Sequence, residues 1–428
     1  MIIVDTALAR REAEGRPVVV AITGAGQMVR SMANRIVNKT PGMHLAVIAN
    51  RTPANAERCL RESGVEPVEV TTAEQLDAAI DAGTPVWCVD PNLVTSSDRI
   101  ECVIESTGTF DYAAGIVSAA IDNGQHVVML NAELDGLLGP LYAERARQAG
   151  VVYTGCDGDQ PGVEMNLLRF VEGIGFTPRV AGNIKGMLDR YRNPDTQAAF
   201  AAQWDANVNM VTSFADGTKL NYEQVVVANA TGMQIATRGM HGPEFDGHVD
   251  DATDLFDIDE VTELGGIADY IVSARPSPGV FVYATTDDAQ QAGALTYLKM
   301  GEGPLFSFYV PYHLCSVEVP TSAARAVLFD DPTITPVGAP VADVITVAKT
   351  PLSAGTRLGG LGGFHSYGFA ERHDLTRSER LLPFGLSDDC VLANDIGADQ
   401  AITLDDVTMP AERLIDRERA AQDALYPI

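Results

Sequence analysis

Short apolar runs alternate with amphipathic helical patterns over residues 17–155. Segments such as QMVRSMANRIVNK and DYAAGIVSAAIDNG carry apolar positions at helical spacing. Because buried parallel strands are almost continuously apolar, the alternation predicts a doubly wound α/β sheet. The predicted strands are PVVVAIT (17–23), HLAVIAN (44–50), PVWCVD (85–90), CVIES (102–106), HVVML (126–130) and VVYT (151–154).

The alternation weakens after residue 155. The next segments predict an α+β region with a sheet of its own, because strand-like runs are mixed with longer helical ones. Its predicted elements are a helix over 162–173, a strand over 179–186, helical segments over 195–214 and 221–229, and strands within GGIADYIVSARPSPGVFVYATT and YLKMGEGPLFSFYVP.

The pattern changes again near Pro332. Gly-, Pro- and Asp-rich turns now separate short strands, which predicts a small β module with strands over 341–349 and 401–409. The Pro- and Asp-rich segment 330–340 is typical of a linker. The predicted domains are therefore 1–155, 156–332 and 333–428.

Charge limits the range of partners. The chain has 58 acidic and 30 basic residues, a net charge of −28. Such a surface repels phosphate backbones and anionic membranes, which argues against nucleic acid or a membrane as the partner. No window is apolar enough to span a membrane, and the charged N-terminus does not resemble a secretory signal, so we expect a cytoplasmic protein.

The six cysteines are dispersed without a CxxC pair. Neither a structural zinc site nor a disulfide framework therefore has its usual spacing signal. The histidines are scattered as well. We expect most of the cysteines to be small buried side chains.

A glycine-rich turn follows the first predicted strand. The sequence Thr23-Gly-Ala-Gly-Gln-Met-Val29 is GxGxxG with valine in the third position. Two glycines permit a tight turn and a close approach to a pyrophosphate at the helix N-terminus, whereas the third position mainly serves packing. An ordinary strand-to-helix turn is the alternative, but the location in the first βαβ unit favours a dinucleotide. The predicted cofactor contacts here are Gly24, Gly26, Gln27 and Met28.

The second strand ends in Asn50-Arg51. An NAD enzyme usually has an acidic residue here, which binds the ribose hydroxyls and would repel a 2′-phosphate. Arg51 could pair with that phosphate, so we expect NADP rather than NAD, with Asn50 and Arg51 as contacts. A solvated arginine after a strand is the alternative.

The run CVIESTGTFDYAAGIVSAAIDNGQHVVMLNAELDGLLGPLYAERARQAGVVYTG (102–155) resembles the homoserine dehydrogenase-like family of Rossmann oxidoreductases. In that family the segment like IESTG passes under the nicotinamide, and the asparagine of HVVxxN lies where cofactor and substrate meet. The resemblance implies Thr107, Gly108 and Asn131 as cofactor contacts. Homoserine dehydrogenases have a lysine directly after this asparagine, whereas Ala132 follows here, so one of the family's two catalytic lysines is missing.

Further runs resemble one subgroup of this family that ends in an SAF (β-clip) module. They are GCDGDQPGVEMN (155–166), GNIKGMLDRYRNPDT (182–196), VTSFADGTKLNYEQVVVANATGM (211–233), VAKTPLSAGTRLGGLGG (347–363) and LLPFGL (381–386). The subgroup includes 1-deoxy-D-xylulose 5-phosphate reductoisomerase-like enzymes, which make 2-C-methyl-D-erythritol 4-phosphate for isoprenoid synthesis. The resemblance implies an N-terminal Rossmann domain, a middle catalytic and dimerisation domain, an SAF-like module, and a homodimer or homotetramer.

The activity implied is therefore an NADP-dependent reductoisomerase. Two alternatives stay open. One is a homoserine dehydrogenase-type oxidation of a small hydroxy acid or amino acid. The other is a non-catalytic, nucleotide-sensing assembly protein, which the missing lysine favours.

Hydride transfer to a carbonyl needs an electrophilic group and a proton source at the carbonyl oxygen. Only five lysines are available, and Lys185 closes a predicted strand just before a polar run. The resemblance aligns it with the family's second catalytic lysine, whereas a surface lysine paired with Asp189 is the alternative. We expect the like charge of Arg190 and Arg192 to lower the pKa of Lys185.

These two arginines and Lys185 would form a local cationic cluster for a phosphorylated or carboxylated substrate. A salt-bridge network with Asp189, Asp195 and Glu223 explains the arginines equally well. The predicted substrate contacts are Asp189, Arg190, Arg192, Lys219 and Glu133, of which Lys219 rests on the resemblance alone.

Two aspartates lie in GCDGDQPG (155–162). Asp157 and Asp159 could polarise a substrate hydroxyl or bind a divalent cation. A strand-to-helix turn with Asp159 near the N-cap position also explains them. Asp159 is a second catalytic candidate, and a metal requirement stays open.

Overall fold

The computed structural model describes residues 2–427. The helices are α1 Ile2–Ala13, α2 Gln27–Lys39, α3 Pro53–Glu62, α4 Ala73–Asp81, α5 Asn92–Thr95, α6 Asp111–Asp122, α7 Ala132–Ala149, α8 Gln160–Gly173, α9 Pro194–Gln203, α10 Val208–Asp216, α11 Thr218–Thr231, α12 Ile258–Glu263, α13 Ala289–Tyr297, α14 Cys315–Phe329, α15 His373–Ser378 and α16 Leu414–Leu425. The strands are β1 Val18–Thr23, β2 Met43–Ala49, β3 Val86–Cys88, β4 Cys102–Glu105, β5 His126–Met129, β6 Tyr153–Gly155, β7 Thr177–Lys185, β8 Ile267–Val272, β9 Gly279–Thr285, β10 Phe306–Val310, β11 Ala342–Ala348, β12 Ser366–Arg372, β13 Val391–Leu392 and β14 Val407–Thr408.

The first six strands form one parallel sheet in the order β3-β2-β1-β4-β5-β6. This is the strand order of a Rossmann fold, and the order reverses between β1 and β4. The predicted doubly wound sheet is confirmed. The strands are buried almost throughout, because helices cover both faces of such a sheet.

A second sheet has the order β10-β9-β7-β8. Strands β7 and β8 are parallel, whereas β9 is antiparallel to both of its neighbours. Helices α8 and α11 pack against this sheet. The predicted α+β region with its own sheet is therefore confirmed.

The predicted helical segment 195–214 is two helices, α9 and α10. Asn207 divides them, because its side chain accepts hydrogen bonds from the amides of Asn209 and Met210 and so begins a new helix. Gly217 then ends α10 and precedes α11 with a φ of 85°, a left-handed conformation that favours glycine.

Small β pairs, β11–β12 and β13–β14, form the C-terminal region, as predicted from its short strands. The predicted strand over 401–409 contributes only β14 and isolated bridges at Ala401 and Thr403. Helices α15 and α16 also belong to this part of the chain, and no feature of the pattern of short strands predicted them.

The chain divides into two compact units. The first contains residues 1–159, 314–335 and 417–425, and the second contains 160–313, 336–416 and 426–428. The three predicted domains, 1–155, 156–332 and 333–428, stay a prediction beside this division into units.

Packing explains why two distant segments return to the first unit. Helix α14 packs against α2 and β5. Helix α7 contains Pro140, which cannot donate a backbone hydrogen bond within the helix. Near this point, Gln422 of α16 accepts a hydrogen bond from the Leu141 amide and donates one to the Leu137 carbonyl.

Within residues 2–427, no helix is long and apolar enough to cross a membrane.

Candidate active site

The glycine-rich turn joins β1 to α2 and requires a glycine at its first position. Gly24 has a φ of 103°, and a Cβ at this position would lie 2.7 Å from the Ser106 carbonyl oxygen. Gly26 is the N-cap residue of α2 and has no side chain to cap the first amides of that helix. Those amides can therefore bind an anion. Val29, in the third position of the motif, is 1% exposed, as expected for a packing residue.

The residues predicted to select the cofactor, Asn50 and Arg51, directly follow the carboxyl end of β2. Asn50 donates a hydrogen bond from Nδ2 to the Thr52 carbonyl at 2.8 Å. The Arg51 guanidinium lies 4.4 Å from the centre of the Tyr112 ring, a cation–π contact that orients it. Gln27 and Met28, in the first turn of α2, are exposed.

Beyond β4, Thr107 interacts with a buried carboxyl group. Its amide and hydroxyl donate to Glu105 Oε1 at 2.8 and 2.5 Å. Glu105 is fully buried, and burial raises its pKa to about 7 although Thr107 and Asn131 oppose the shift. The next residue, Gly108, has a φ of 64°.

Asn131 lies between β5 and α7 and is 2% exposed. Its Oδ1 accepts from the Leu134 amide, so it caps α7, and its Nδ2 donates to the Thr109 carbonyl at 2.8 Å. Glu133 is buried in the first turn of α7, where its charge adds to the upward shift of the pKa of Glu105. Asn131 thus caps α7 and holds the Thr109 carbonyl, and its contact with the cofactor stays a prediction.

In the second unit, Lys185 ends β7 and is surrounded by charges of α10 and α11. Burial lowers its pKa, the like charge of Lys219 lowers it further, and the carboxylates of Glu223 and Asp216 oppose the shift. Lys219 itself pairs with Glu223 one helical turn away, at 3.4 Å between Nζ and Oε1.

The expected lowering of the Lys185 pKa is therefore present, but its cause differs from the prediction. Burial dominates, and the nearby like charge is a lysine rather than an arginine. Arg192 pairs instead with Asp189 at 3.0 Å, with both side chains about 40% exposed. The Arg190 guanidinium lies 4.4 Å from the centre of the Phe369 ring. The salt-bridge alternative thus describes Arg192, and Asp189 is the partner of Arg192 rather than of Lys185.

A buried lysine that the sequence analysis did not select supports this region. Lys349 Nζ donates to Asp216 Oδ2 at 2.8 Å, and both side chains are 2% exposed or less. It also donates to the carbonyls of Arg192 and Gly363. Asp216 Oδ1 accepts from the Thr218 amide, so the ion pair holds the start of α11, where Lys219 lies.

Two buried glutamates were also missed. Glu164 of α8 accepts a hydrogen bond from Gln224 at 2.7 Å, and burial raises its pKa far above the ordinary range, with the charge of Glu223 adding to the shift. The other is Glu105. Each interrupts an apolar run, at CVIES and at PGVEMN, and a buried acidic residue in such a run is the signal that could have identified them.

The two aspartates of GCDGDQPG differ in role. Asp157 is fully buried and receives hydrogen bonds from Ser322, Thr333 and Arg325, the last at 3.0 Å. It is therefore a structural carboxylate of the first unit. Asp159 immediately precedes α8, where the sequence predicted it, and lies 3.6 Å from the Cys315 sulfur.

The parallel sheet of the first unit has the Rossmann strand order and carries a glycine-rich turn, a combination typical of dinucleotide-dependent oxidoreductases. Residues 158–319 match the family model described as "Oxidoreductase DRL, catalytic domain". This match supports an oxidoreductase, and its span includes Lys185 and Lys219. No curated protein matches the chain.

Several solved structures match parts of this chain at low sequence identity. A homoserine dehydrogenase from Thiobacillus denitrificans is 13% identical with a TM-score of 0.43, over 89% of this chain and 97% of that one. A 1-deoxy-D-xylulose 5-phosphate reductoisomerase from Zymomonas mobilis in complex with NADPH is 14% identical with a TM-score of 0.36, over 50% and 57%.

An NAD binding oxidoreductase from Klebsiella pneumoniae is 16% identical with a TM-score of 0.28, over 40% of this chain and 43% of that one. The chain therefore covers less than two thirds of the last two structures.

Proposed function

We propose that the protein is an NADP-dependent oxidoreductase that reduces the carbonyl group of a small phosphorylated or carboxylated molecule. The first candidate reaction is the conversion of 1-deoxy-D-xylulose 5-phosphate to 2-C-methyl-D-erythritol 4-phosphate, in which one C–C bond breaks and another forms to give a branched aldehyde, and the hydride then reduces that aldehyde. The observation that carries the proposal is Lys185, a lysine with a lowered pKa inside the segment that matches the oxidoreductase catalytic domain.

The residues of the glycine-rich turn fit a dinucleotide. The first amides of α2 would bind the pyrophosphate, and at Gly26 the space that a Cβ would occupy is open to 4 Å. Arg51 would pair with the 2′-phosphate of NADP, because no carboxylate follows β2 to repel that group. Bound NADPH would supply the hydride.

Lys185 would donate a hydrogen bond and then a proton from Nζ to the carbonyl oxygen as negative charge develops there. A lysine with an ordinary pKa holds its proton too tightly for this near neutral pH, so the lowering by burial and by Lys219 favours proton transfer. Glu223 holds Lys219 at 3.4 Å, which keeps this second cation in place.

The substrate anion has two candidate partners. Arg192 is partly exposed and paired with Asp189, so an incoming phosphate would compete with a carboxylate for the guanidinium. Lys219 is the other candidate. Arg190, over the Phe369 ring, would contribute charge rather than a direct contact.

One observation favours a second candidate function. Ala132 occupies the position after Asn131 where homoserine dehydrogenases have a lysine. A protein without that lysine could bind the nucleotide as a sensor and catalyse nothing. We further propose that the protein forms a homodimer or homotetramer and acts in the cytoplasm.

A substrate screen tests the proposal. Purified protein would be incubated with NADPH or NADH and with deoxyxylulose phosphate or aspartate semialdehyde, and cofactor oxidation would be followed by absorbance. We expect oxidation of NADPH with deoxyxylulose phosphate, with methylerythritol phosphate identified by mass spectrometry. Turnover of the semialdehyde alone would favour the homoserine dehydrogenase type. NADPH binding without turnover of either carbonyl would contradict the proposed reactions and favour the sensor.

A further inference from the structure

Three side chains with metal-binding atoms meet in the first unit. They are Cys156 and Asp159, in the turn that follows β6, and Cys315, the first residue of α14. One ligand atom from each lies within 4.8 Å of the other two. Cys156 and Asp159 are 2% and 4% exposed, whereas Cys315 is partly exposed.

We propose that Cys156, Asp159 and Cys315 bind a thiophilic divalent cation of the zinc class, with the fourth coordination position open to water or another ligand. Two thiolates and one carboxylate form a donor set that suits zinc and does not suit magnesium or calcium, which prefer oxygen. The proposal does not depend on the proposed redox reaction.

The distances fit tetrahedral coordination. With a Zn–S bond of about 2.3 Å and a Zn–O bond of about 2.0 Å, the sulfur and oxygen ligands of one zinc ion lie about 3.5 Å apart. The Cys315 sulfur lies 3.6 Å from Asp159 Oδ1. Two sulfur ligands of one zinc ion lie about 3.8 Å apart. The three ligand atoms here lie within 4.8 Å of one another, so the two sulfur atoms would have to approach each other by at most about 1 Å.

A glycine brings the turn close to α14. Gly158 has a φ of 82°, and a Cβ at this position would lie 2.7 Å from the Glu318 Cβ and 2.8 Å from the Leu314 carbonyl oxygen. Any larger residue would force the turn away from the first turn of α14. The glycine thus permits the approach that puts Cys315 beside Asp159.

Asp157 anchors the same turn. Its carboxylate accepts hydrogen bonds from Arg325 and Ser322 of α14, and the Ser322 hydroxyl also accepts a hydrogen bond from the Asp157 amide at 2.6 Å. Because these partners belong to the helix that begins at Cys315, the turn and the cysteine are held in one rigid arrangement. Because the ligands are already positioned, their side chains lose little conformational entropy when a metal binds.

The sequence does not show the short ligand spacing that usually indicates a metal site, because Cys315 is 156 residues from Asp159. The site depends on the return of α14 to the first unit, which the sequence pattern did not predict. Thiols in a reducing compartment stay available for a metal rather than forming a disulfide.

Metal content of the full-length protein tests the proposal. Protein purified under reducing conditions would be loaded with zinc, dialysed, and analysed by plasma mass spectrometry. We expect about one zinc per chain, the stoichiometry of a single tetrahedral site. Cobalt(II) loading should give the intense visible bands of tetrahedral coordination and a thiolate-to-cobalt charge-transfer band in the near ultraviolet.

The variants Cys156→Ala, Cys315→Ala and Asp159→Asn should each lose at least about tenfold in zinc affinity, measured by competition with a chromogenic chelator. Cys59→Ala, which removes a buried thiol of α3 outside the cluster, should retain the wild-type affinity. Circular dichroism would check that each variant is folded.

Three results would overturn the proposal. The wild type could bind no zinc above background, or the Cys156 and Cys315 variants could bind as tightly as Cys59→Ala. Thiol titration could also show a disulfide between Cys156 and Cys315 whose reduction does not create a zinc site. None of these results depends on turnover, so they leave the proposed function separately testable.

Discussion

The ion pair of Lys349 and Asp216 makes the sharpest stability prediction. In Lys349→Met, the ammonium group disappears and the carboxylate of Asp216, itself fully buried, is left without its cation. The carbonyls of Arg192 and Gly363 lose a donor as well. Removing one partner of a buried pair costs about 3–5 kcal/mol, because an uncompensated charge stays in the low-dielectric interior.

Thermal unfolding followed by circular dichroism measures this effect. For a unit of this size, the loss corresponds to a decrease in Tm of roughly 10 °C. The matched control is Arg357→Met, which breaks an ion pair with Asp389 whose side chains are 65% and 64% exposed. We expect the control to change stability by about 0–1 kcal/mol, because solvent screens exposed pairs.

A double variant separates charge from packing. Adding Asp216→Asn to Lys349→Met removes the unpaired charge and keeps an oxygen that can accept from the Thr218 amide. We expect it to be more stable than Lys349→Met alone. The reasoning is refuted if Lys349→Met unfolds within about 1 kcal/mol of the wild type, the range of an exposed pair.

Two further predictions concern the first unit. Arg51→Asp should reverse the cofactor preference, measured as the Kd values for NADPH and NADH, because a carboxylate at this position repels the 2′-phosphate. The assignment would be refuted if the wild type preferred NADH, or if the variant still preferred NADPH. Burial raises the pKa of Glu105 from 4.5 to about 7, so the folded state binds a proton more tightly than the unfolded state does. The free energy of unfolding should therefore fall by up to about 3 kcal/mol as the pH rises from 4.5 to 7. Glu105→Gln should remove this part of the slope and be the more stable protein above pH 7 in urea unfolding, whereas slopes parallel to the wild type would contradict the pKa shift.

The parallel sheet could be predicted from the sequence because its signal is local. All six predicted strands are present, and 44–50, for example, corresponds to β2 at Met43–Ala49. Continuous apolar runs separated by helical spacing leave few other topologies open. The conformation of Gly24 also follows from a local motif.

The side-chain partners could not be predicted in this way. Lys185, Arg190 and Arg192 are close in sequence, which suggested a common cationic cluster, but the arginines contact Asp189 and the Phe369 ring. A side chain's direction depends on tertiary neighbours, and Phe369 and Lys349 come from more than 150 residues further along the chain. The return of α14, which brings Cys315 to Asp159, is equally non-local.

The turnover of Lys185→Met on the substrate that the screen identifies tests the central claim most directly. Lys39→Met, which removes an exposed lysine at the end of α2, is the matched control. We predict that Lys185→Met lowers kcat by at least about 100-fold, the scale of a general acid, while the Kd for NADPH and the activity of the control stay at wild-type values. A near wild-type kcat for Lys185→Met would contradict the assignment and make Lys219 the better candidate.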